Sequence, residues 1–473
     1  MGVYLAGITA FGLRYRKSQG SLRNYFLADR SVPWWAIALS IVAAETSTLT
    51  IISIPGLAFT SDLGFLQVVF GYLLARVIIS VIFLPQYFRG EMFTAYQLIG
   101  RRFGDRLRSL TDGLFLATRA AAEGVRVFAI SIVVGIAIGA GDVASIAIIT
   151  ALTMLYTFEG GMVAVIWTDV VQLAIYIGGT LVGFYTVVHL LPAPWPEIHQ
   201  SLAVAGKLRV FDFTPDFFRT YTFWSGIVGG TFFNTASHGT DQLMVQRLLS
   251  AKNERQSKAA LLASGVVILF QFTLFLLVGA MLFAYYGSTA GGVKSAAAMG
   301  ADRIFPHFSV EQMPPGISGL LIAAILAAAM SNLSAALNSL SSTSIVDFYL
   351  RRKPEASEAD RVRLSRWATV GWAVVLFALA ILSRRGGHVV EVGLSIASVA
   401  YGALLGVFLL GVLTKRANER GAMVGMVCGF VLNLGLWRFS KVPWTWWVMI
   451  GSVATFAVGY SASLILANDP PKT

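Results

Sequence analysis

The sequence predicts an all-α polytopic membrane protein, on three observations. Of the 473 residues, 56% are hydrophobic and only 13% charged, with a mean hydropathy of +0.70; a soluble domain carries about 25% charged residues. The apolar residues fall in long runs, and a run of about 20 crosses a bilayer as a helix. The cations gather in short connections between those runs, as membrane topology requires. A net charge of +12 could point to nucleic acid, but that placement argues against it.

Taken in order, the apolar runs predict helices at 1–14, 33–60, 64–86, 109–140, 143–157, 162–189, 222–247, 259–287, 316–348, 365–383, 388–414, 420–437 and 442–467, about 13 transmembrane helices in all. The first is short for a crossing at about 1.5 Å per residue, so a longer native N-terminus is expected. A cleaved signal peptide fits poorly, because the basic residues follow the apolar run. Residues 1–32 thus read as a short first helix and a basic inner loop, 33–189 as a first half, 190–221 as an outer connection, 222–414 as a second half, and 415–473 as two further helices. With the N-terminus outside, the inner segments hold 24 of the 36 Lys and Arg and the outer connections 9. The positive-inside rule therefore puts the N-terminus outside and the C-terminus in the cytoplasm of a cell membrane, plasma or inner.

Two spans are interrupted. Ala43-Ala44-Glu45-Thr46-Ser47-Thr48, running on to Ile54-Pro55-Gly56, puts an acid and several hydroxyls near mid-span. Backbone unwinds at membrane depth only where it lines protein or a wet cavity, and its freed carbonyls are natural ligands for a small hard cation. The bland alternative is a Pro-kinked helix whose hydroxyls bond back to the preceding turn. Glu45 resists that reading, because an intramembrane acid is costly and functional by default. Phe232 to Gln242 breaks span 222–247 in the same way. One broken helix near the start of each half matches the inverted-repeat logic of transporters.

Further polar positions stand out. Ala328, Ser331 and Asn332 share one helix face, with Ser334 a turn beyond Ser331; their oxygens suit Na⁺, although small residues and Ser also glue packed membrane helices. Asp169 lies inside an apolar helix and needs a cation or a strong donor, as an ion ligand or through a structural contact. Arg119, Glu123 and Arg126 fall on one face and pair locally. Arg76 faces a choice between an acid such as Glu45 and an anionic solute. The histidines show no metal-ligand spacing, and the lone Cys428 excludes a disulfide framework or thiolate metal site. An intramembrane enzyme would need convergent nucleophile, base or metal ligands, and a sensor an output domain; neither pattern is present.

At Asn24-Tyr25-Phe26-Leu27-Ala28, Gly160 to Gln172, Thr240-Asp241-Gln242 through Val245-Gln246-Arg247, and Leu337-Asn338-Ser339, the sequence resembles the sodium:solute symporter family. Ser250-Ala251-Lys252-Asn253 and Phe408-Leu409-Leu410-Gly411 add support. The resemblance implies a LeuT-type fold with two inverted five-helix repeats, alternating access, and sodium-coupled symport of a small solute across a lipid bilayer. It maps a principal Na⁺ site onto Ala43 and Thr46 of the first core helix and Ala328, Ser331 and Asn332 of the eighth. Asn332 replaces the family's Ser or Thr. A second Na⁺ site would fall on Asp169, Ser331, Ser334 and Ala335, and Ala335 offers no side-chain oxygen. The family's sugar-binding acid and amide map onto Gly71 and Leu394, so that pattern is absent. Glu45, Ser47, Gln67, His238 and Asp241 are the candidate solute-cavity residues. The nearest alternative is proton coupling through Glu45 or Asp169. The solute and the oligomeric state stay open at this level.

Overall fold

The computed structural model describes residues 7, 11, 26–90, 92–138, 141–289, 292–383 and 389–466; the expected helix at 1–14 lies largely outside them. Among the described residues all regular structure is helical, apart from a parallel bridge joining Val32 to Ala251. Six helices are long and apolar enough to cross a membrane, and a bent pair makes up to seven.

The first core helix is broken where its sequence turns polar. α1 (Trp34–Glu45) begins after Pro33 and ends as Thr46 and Ser47 become extended, at ψ 93° and 164°. The Ser47 hydroxyl accepts the Thr50 N–H at 3.3 Å, an N-cap that restarts the chain as α2 (Thr48–Thr60). The two pieces meet at 60°. Pro55 and Gly56 lie inside α2, about two turns past the break. The capping hydroxyl, not the proline, sets the break. Gly56 instead lets α2 approach Ala301, whose carbonyl oxygen would stand 2.2 Å from any Cβ there.

α3 (Leu66–Ile82) is followed by α4 (Asp105–Ile138), which carries Arg119, Glu123 and Arg126. α5 runs unbroken from Asp142 to His189, correcting the turn expected at 158–161. Gly160 and Gly161 lower helix propensity by about 1 kcal/mol each but remove no backbone donor, so flanking helix formers carry the helix through.

The second broken helix repeats the device of the first. α6 (Gly230–Gly239) stops at Thr240, and Asp241 caps α7 (Gln242–Leu249) by accepting the Leu243 N–H at 2.9 Å. α8 (Glu254–Gly287) packs on both α1 and α2, bracing the break. α9 (Ala301–Glu311) lies on α2. α10 (Pro315–Thr343) packs on α5 and α4 and closes in a π-helical turn, Ser344–Tyr349. α11 (Glu358–Ser383) lies on α4, while α12 (Val389–Leu413), α13 (Glu419–Phe439) and α14 (Trp444–Ile465) form a three-helix flank.

Candidate functional site

Both interruptions open onto one cavity of about 540 Å³. It reaches from Thr60 and Arg303, exposed at one end, to Glu45 and Asp241 at the two breaks. Of the candidate solute residues, Glu45, Ser47, His238 and Asp241 line it. Gln67 does not. It is fully buried, donating to Gly64 O at 3.1 Å and accepting from Asp212 N at 3.0 Å, and so fastens the 190–221 connection. Lys207 of that connection donates to Phe59 O and Ser61 O, both at 2.7 Å, and covers the C-terminal carbonyls of α2. Burial pushes the Lys207 ammonium below its ordinary pKa, with the Asp62 carboxylate opposing the shift.

Each buried acid on the cavity wall is matched. Glu45 pairs with Arg76, accepts from Asn234 Nδ2 at 3.2 Å and stands 3.4 Å from His238 Nε2. Arg76 is thereby assigned to the acid, and it also donates to Asn234 Oδ1, Tyr72 O and Ser264 Oγ. Asp241 accepts from Arg119 Nη1 at 3.1 Å and from the Tyr401 hydroxyl at 2.7 Å. Glu123 binds Arg119 and Arg126 at 2.5 and 2.6 Å, the local pairing that their spacing predicts. Local pairing is not their whole role. Arg119 also spans to the second break, and Arg126, its side chain 26% exposed against 8% for Arg119, lines the cavity. Asn234 and Tyr401 join the wall too; Tyr401, in an apolar run, gave no sequence signal.

Two residues of the expected principal ion site, Thr46 and Asn332, meet across the first break. Asn332 Nδ2 donates to the Thr46 carbonyl at 3.0 Å, and Gln271 donates to the Thr46 hydroxyl at 2.5 Å. Ala43 is buried beside them in sequence on α1, and Ser334 is buried on α10. Ala328 and Ser331 belong to the α10 backbone, but their side chains lie outside the described residues. A carbonyl freed by the break is the kind of ligand a hard cation takes, but the facing amide turns its nitrogen, not its oxygen, toward that carbonyl.

Asp169 is buried on α5, where Arg247 Nη2 reaches it at 2.8 Å and Ser40 Oγ donates to it at 2.5 Å. Arg247 Nε donates in turn to Ser40 at 2.8 Å. The protein itself thus brings a cation to this carboxylate, joining α1, α5 and α7.

Two capped helix breaks facing a polar cavity inside a membrane-length helical bundle define the class: a polytopic membrane transporter. The chain belongs to the sodium:solute symporter family, whose model matches residues 25–429. It is 28% identical to the sodium/sialic acid symporter SiaT of Proteus mirabilis, over 96% of this chain and 92% of that protein. It is 29% identical to the sodium-dependent multivitamin transporter of Oryctolagus cuniculus, over 94% and 67%. A solved Na⁺-coupled sialic acid symporter, substrate-bound and outward-open, superposes with a TM-score of 0.89 at 27% identity, covering 98% of this chain and 97% of that one. The transporter Mhp1, in a closed conformation, shares the fold with a TM-score of 0.59 at 13% identity, covering 92% and 93%. The protein is therefore a sodium-coupled symporter of a small solute and no enzyme; the proton-coupled alternative finds no support.

Proposed function

We propose that the solute is a small organic carboxylate, held through Arg126 in the cavity between the two helix breaks. The observation that carries this reading is the exposure of Arg126 on the wall. Glu45 is matched by Arg76 and Asp241 by Arg119, while Arg126, whose partner Glu123 also serves Arg119, is the most exposed of the three arginines beside the breaks, at 26% against 1% and 8%. A guanidinium there offers planar, charge-assisted donors to a carboxylate. Relatives named for sialic acid and for monocarboxylates carry acids. Glu45, Ser47, His238 and Asn234 would meet the solute's hydroxyl or amide groups.

Transport proceeds by alternating access between two inverted five-helix repeats, 33–189 and 222–414, in a chain of about 13 spans with its N-terminus outside and C-terminus in the cytoplasm. Na⁺ binds at Ala43, Thr46, Ala328, Ser331 and Asn332, bridging the first break to α10 and favouring the outward-open arrangement. Asp169 and Ser334 form a second, weaker ion position in which Arg247 competes with the ion for the carboxylate.

Proteoliposomes under an imposed Na⁺ gradient test the reading with a panel of carboxylates and their amides. Acids are expected to accumulate and amides to be refused. Arg126→Leu is expected to raise the acid's KM about 10–100-fold, the loss of one charge-assisted contact. Equal uptake of acid and amide would overturn the carboxylate assignment.

A further inference from the structure

Asp112 lies outside the solute cavity, two turns into α4, about 10 Å from its start at roughly 1.5 Å per residue. It is fully buried, and neither of its carboxylate oxygens has a hydrogen-bond partner among the described residues. The ion pair it makes, to Arg108 Nε one turn back, spans 4.0 Å. That guanidinium is already engaged: its Nε and Nη2 both bind Asp347 Oδ1, which also accepts from Thr94 at 3.0 Å. Asp347 sits in the π-helical turn that closes α10, is fully buried, and has no partner for its Oδ2.

The other charges nearby spend their hydrogen bonds elsewhere, although Arg351 stays in electrostatic reach of both Asp112 and Asp347. Arg351 donates to Ser109 Oγ at 2.7 Å and Asp105 O at 3.2 Å, Arg102 to Thr414 O and Ala417 O, and Glu419 accepts the N–H groups of Arg106 and Leu107. Two buried carboxylates therefore share one guanidinium. A carboxylate held out of water with no hydrogen-bond donor, and with its counter-charge at 4.0 Å already bound to a second carboxylate, is poorly stabilised as a bare anion; it takes up a proton or a metal ion. Two buried hydroxyls complete the surroundings. Thr343, a turn before Asp347, has no partner for its Oγ1. Tyr96 packs its ring on Phe115 at 5.3 Å, one turn past Asp112, with its phenol in electrostatic reach of that carboxylate. Carboxylate and hydroxyl oxygens are the donors a hard cation prefers, and π-helical turns recur at functional sites.

We propose that Asp112 and Asp347 form a further cation site, distinct from both the cavity and the Thr46–Asn332 junction, that takes one monovalent cation at Asp112. The shared chemistry is a single positive charge, from an alkali ion or a proton. Filled, the site ties α4 to the end of α10, the helix that carries Asn332. Emptied, two like charges face each other across one arginine and loosen that end of the bundle.

The test uses the full-length protein in nanodiscs, following its unfolding midpoint along two series. One titrates NaCl against choline chloride at fixed pH, and the other titrates pH in choline chloride alone. Asp112→Asn, a neutral isostere, is expected to raise the midpoint in choline at alkaline pH and to lose one of the wild-type responses. Loss of part of the Na⁺ response at alkaline pH, the rest belonging to the Thr46–Asn332 position, identifies an alkali ion, and loss of the pH response a proton. Asp347→Asn is expected to lose the same response without touching Asp112, because it frees Arg108 to pair with Asp112. Asn332→Ser serves as the control for the other ion position and is expected to keep the Asp112-dependent response, so the two readings fail separately. Midpoint curves of Asp112→Asn and Asp347→Asn that superpose on the wild type in both series overturn the proposal.

Discussion

Thr46 and Asn332 meet through one hydrogen bond that spans 286 residues of chain, and its direction matters. An amide nitrogen donating to the Thr46 carbonyl occupies a lone pair that a cation would otherwise use. Serine at position 332 would withdraw that donor and bring a short hydroxyl. Asn332→Ser is therefore expected to lower the Na⁺ concentration for half-maximal uptake by about 3–10-fold, the worth of one net hydrogen bond. The check is the Na⁺ dependence of initial rates, and an unchanged half-saturation would place Asn332 outside the ion's path. Glu45 was legible in the sequence because a carboxylate in an apolar run advertises its cost. Its partners were less so. Arg76 had two readings, an acid such as Glu45 or an anionic solute, and Arg247 as partner of Asp169 lies 78 residues away with no periodicity to link them.

The helix breaks are decided by caps. Ser47 and Asp241 each accept a backbone N–H two or three residues ahead, so both restarts satisfy donors that lipid could not. Elsewhere the helices pack through small residues, as membrane helices must when lipid is as apolar as their side chains. Gly425 of α13 shows how close that packing runs. A Cβ there would stand 2.4 Å from Thr455 O and 2.6 Å from Gly459 Cα on α14. Gly425→Leu is expected to destabilise the flank by about 1–3 kcal/mol or more through overpacking. A lower unfolding midpoint in detergent is the readout, and an unchanged one would contradict the α13–α14 contact. The glycines were visible in the sequence, but their facing partners were not.

For the whole molecule, coupling follows from geometry. The first break contributes Thr46 to the proposed ion position and Glu45 and Ser47 to the cavity wall, on adjacent residues. A ligand that fixes the break in one arrangement prepays part of the ordering for the other. Na⁺ is expected to tighten solute binding by some factor, about 5–150-fold for typical couplings, and solute to tighten Na⁺ binding by that same factor. Calorimetric titrations of each ligand with and without the other measure both. Affinities indifferent to the second ligand would break the link between the two positions.

Composition, run length and cation placement by themselves determined an all-helical chain in lipid, because a bilayer leaves the backbone few other solutions. The polar interruptions at 43–48 and 232–242 likewise marked where the helices come apart. Beyond the local pairing of Arg119, Glu123 and Arg126, tertiary structure alone decided which charges face which. Arg126 became a cavity residue, Gln67 a fastening for the outer connection, and Asp112 a buried acid sharing its arginine. Such pairings join segments far apart in the chain, and no local period records them. The physical cause is the low dielectric of the interior, where each charge must find its partner in space, whatever its position in sequence.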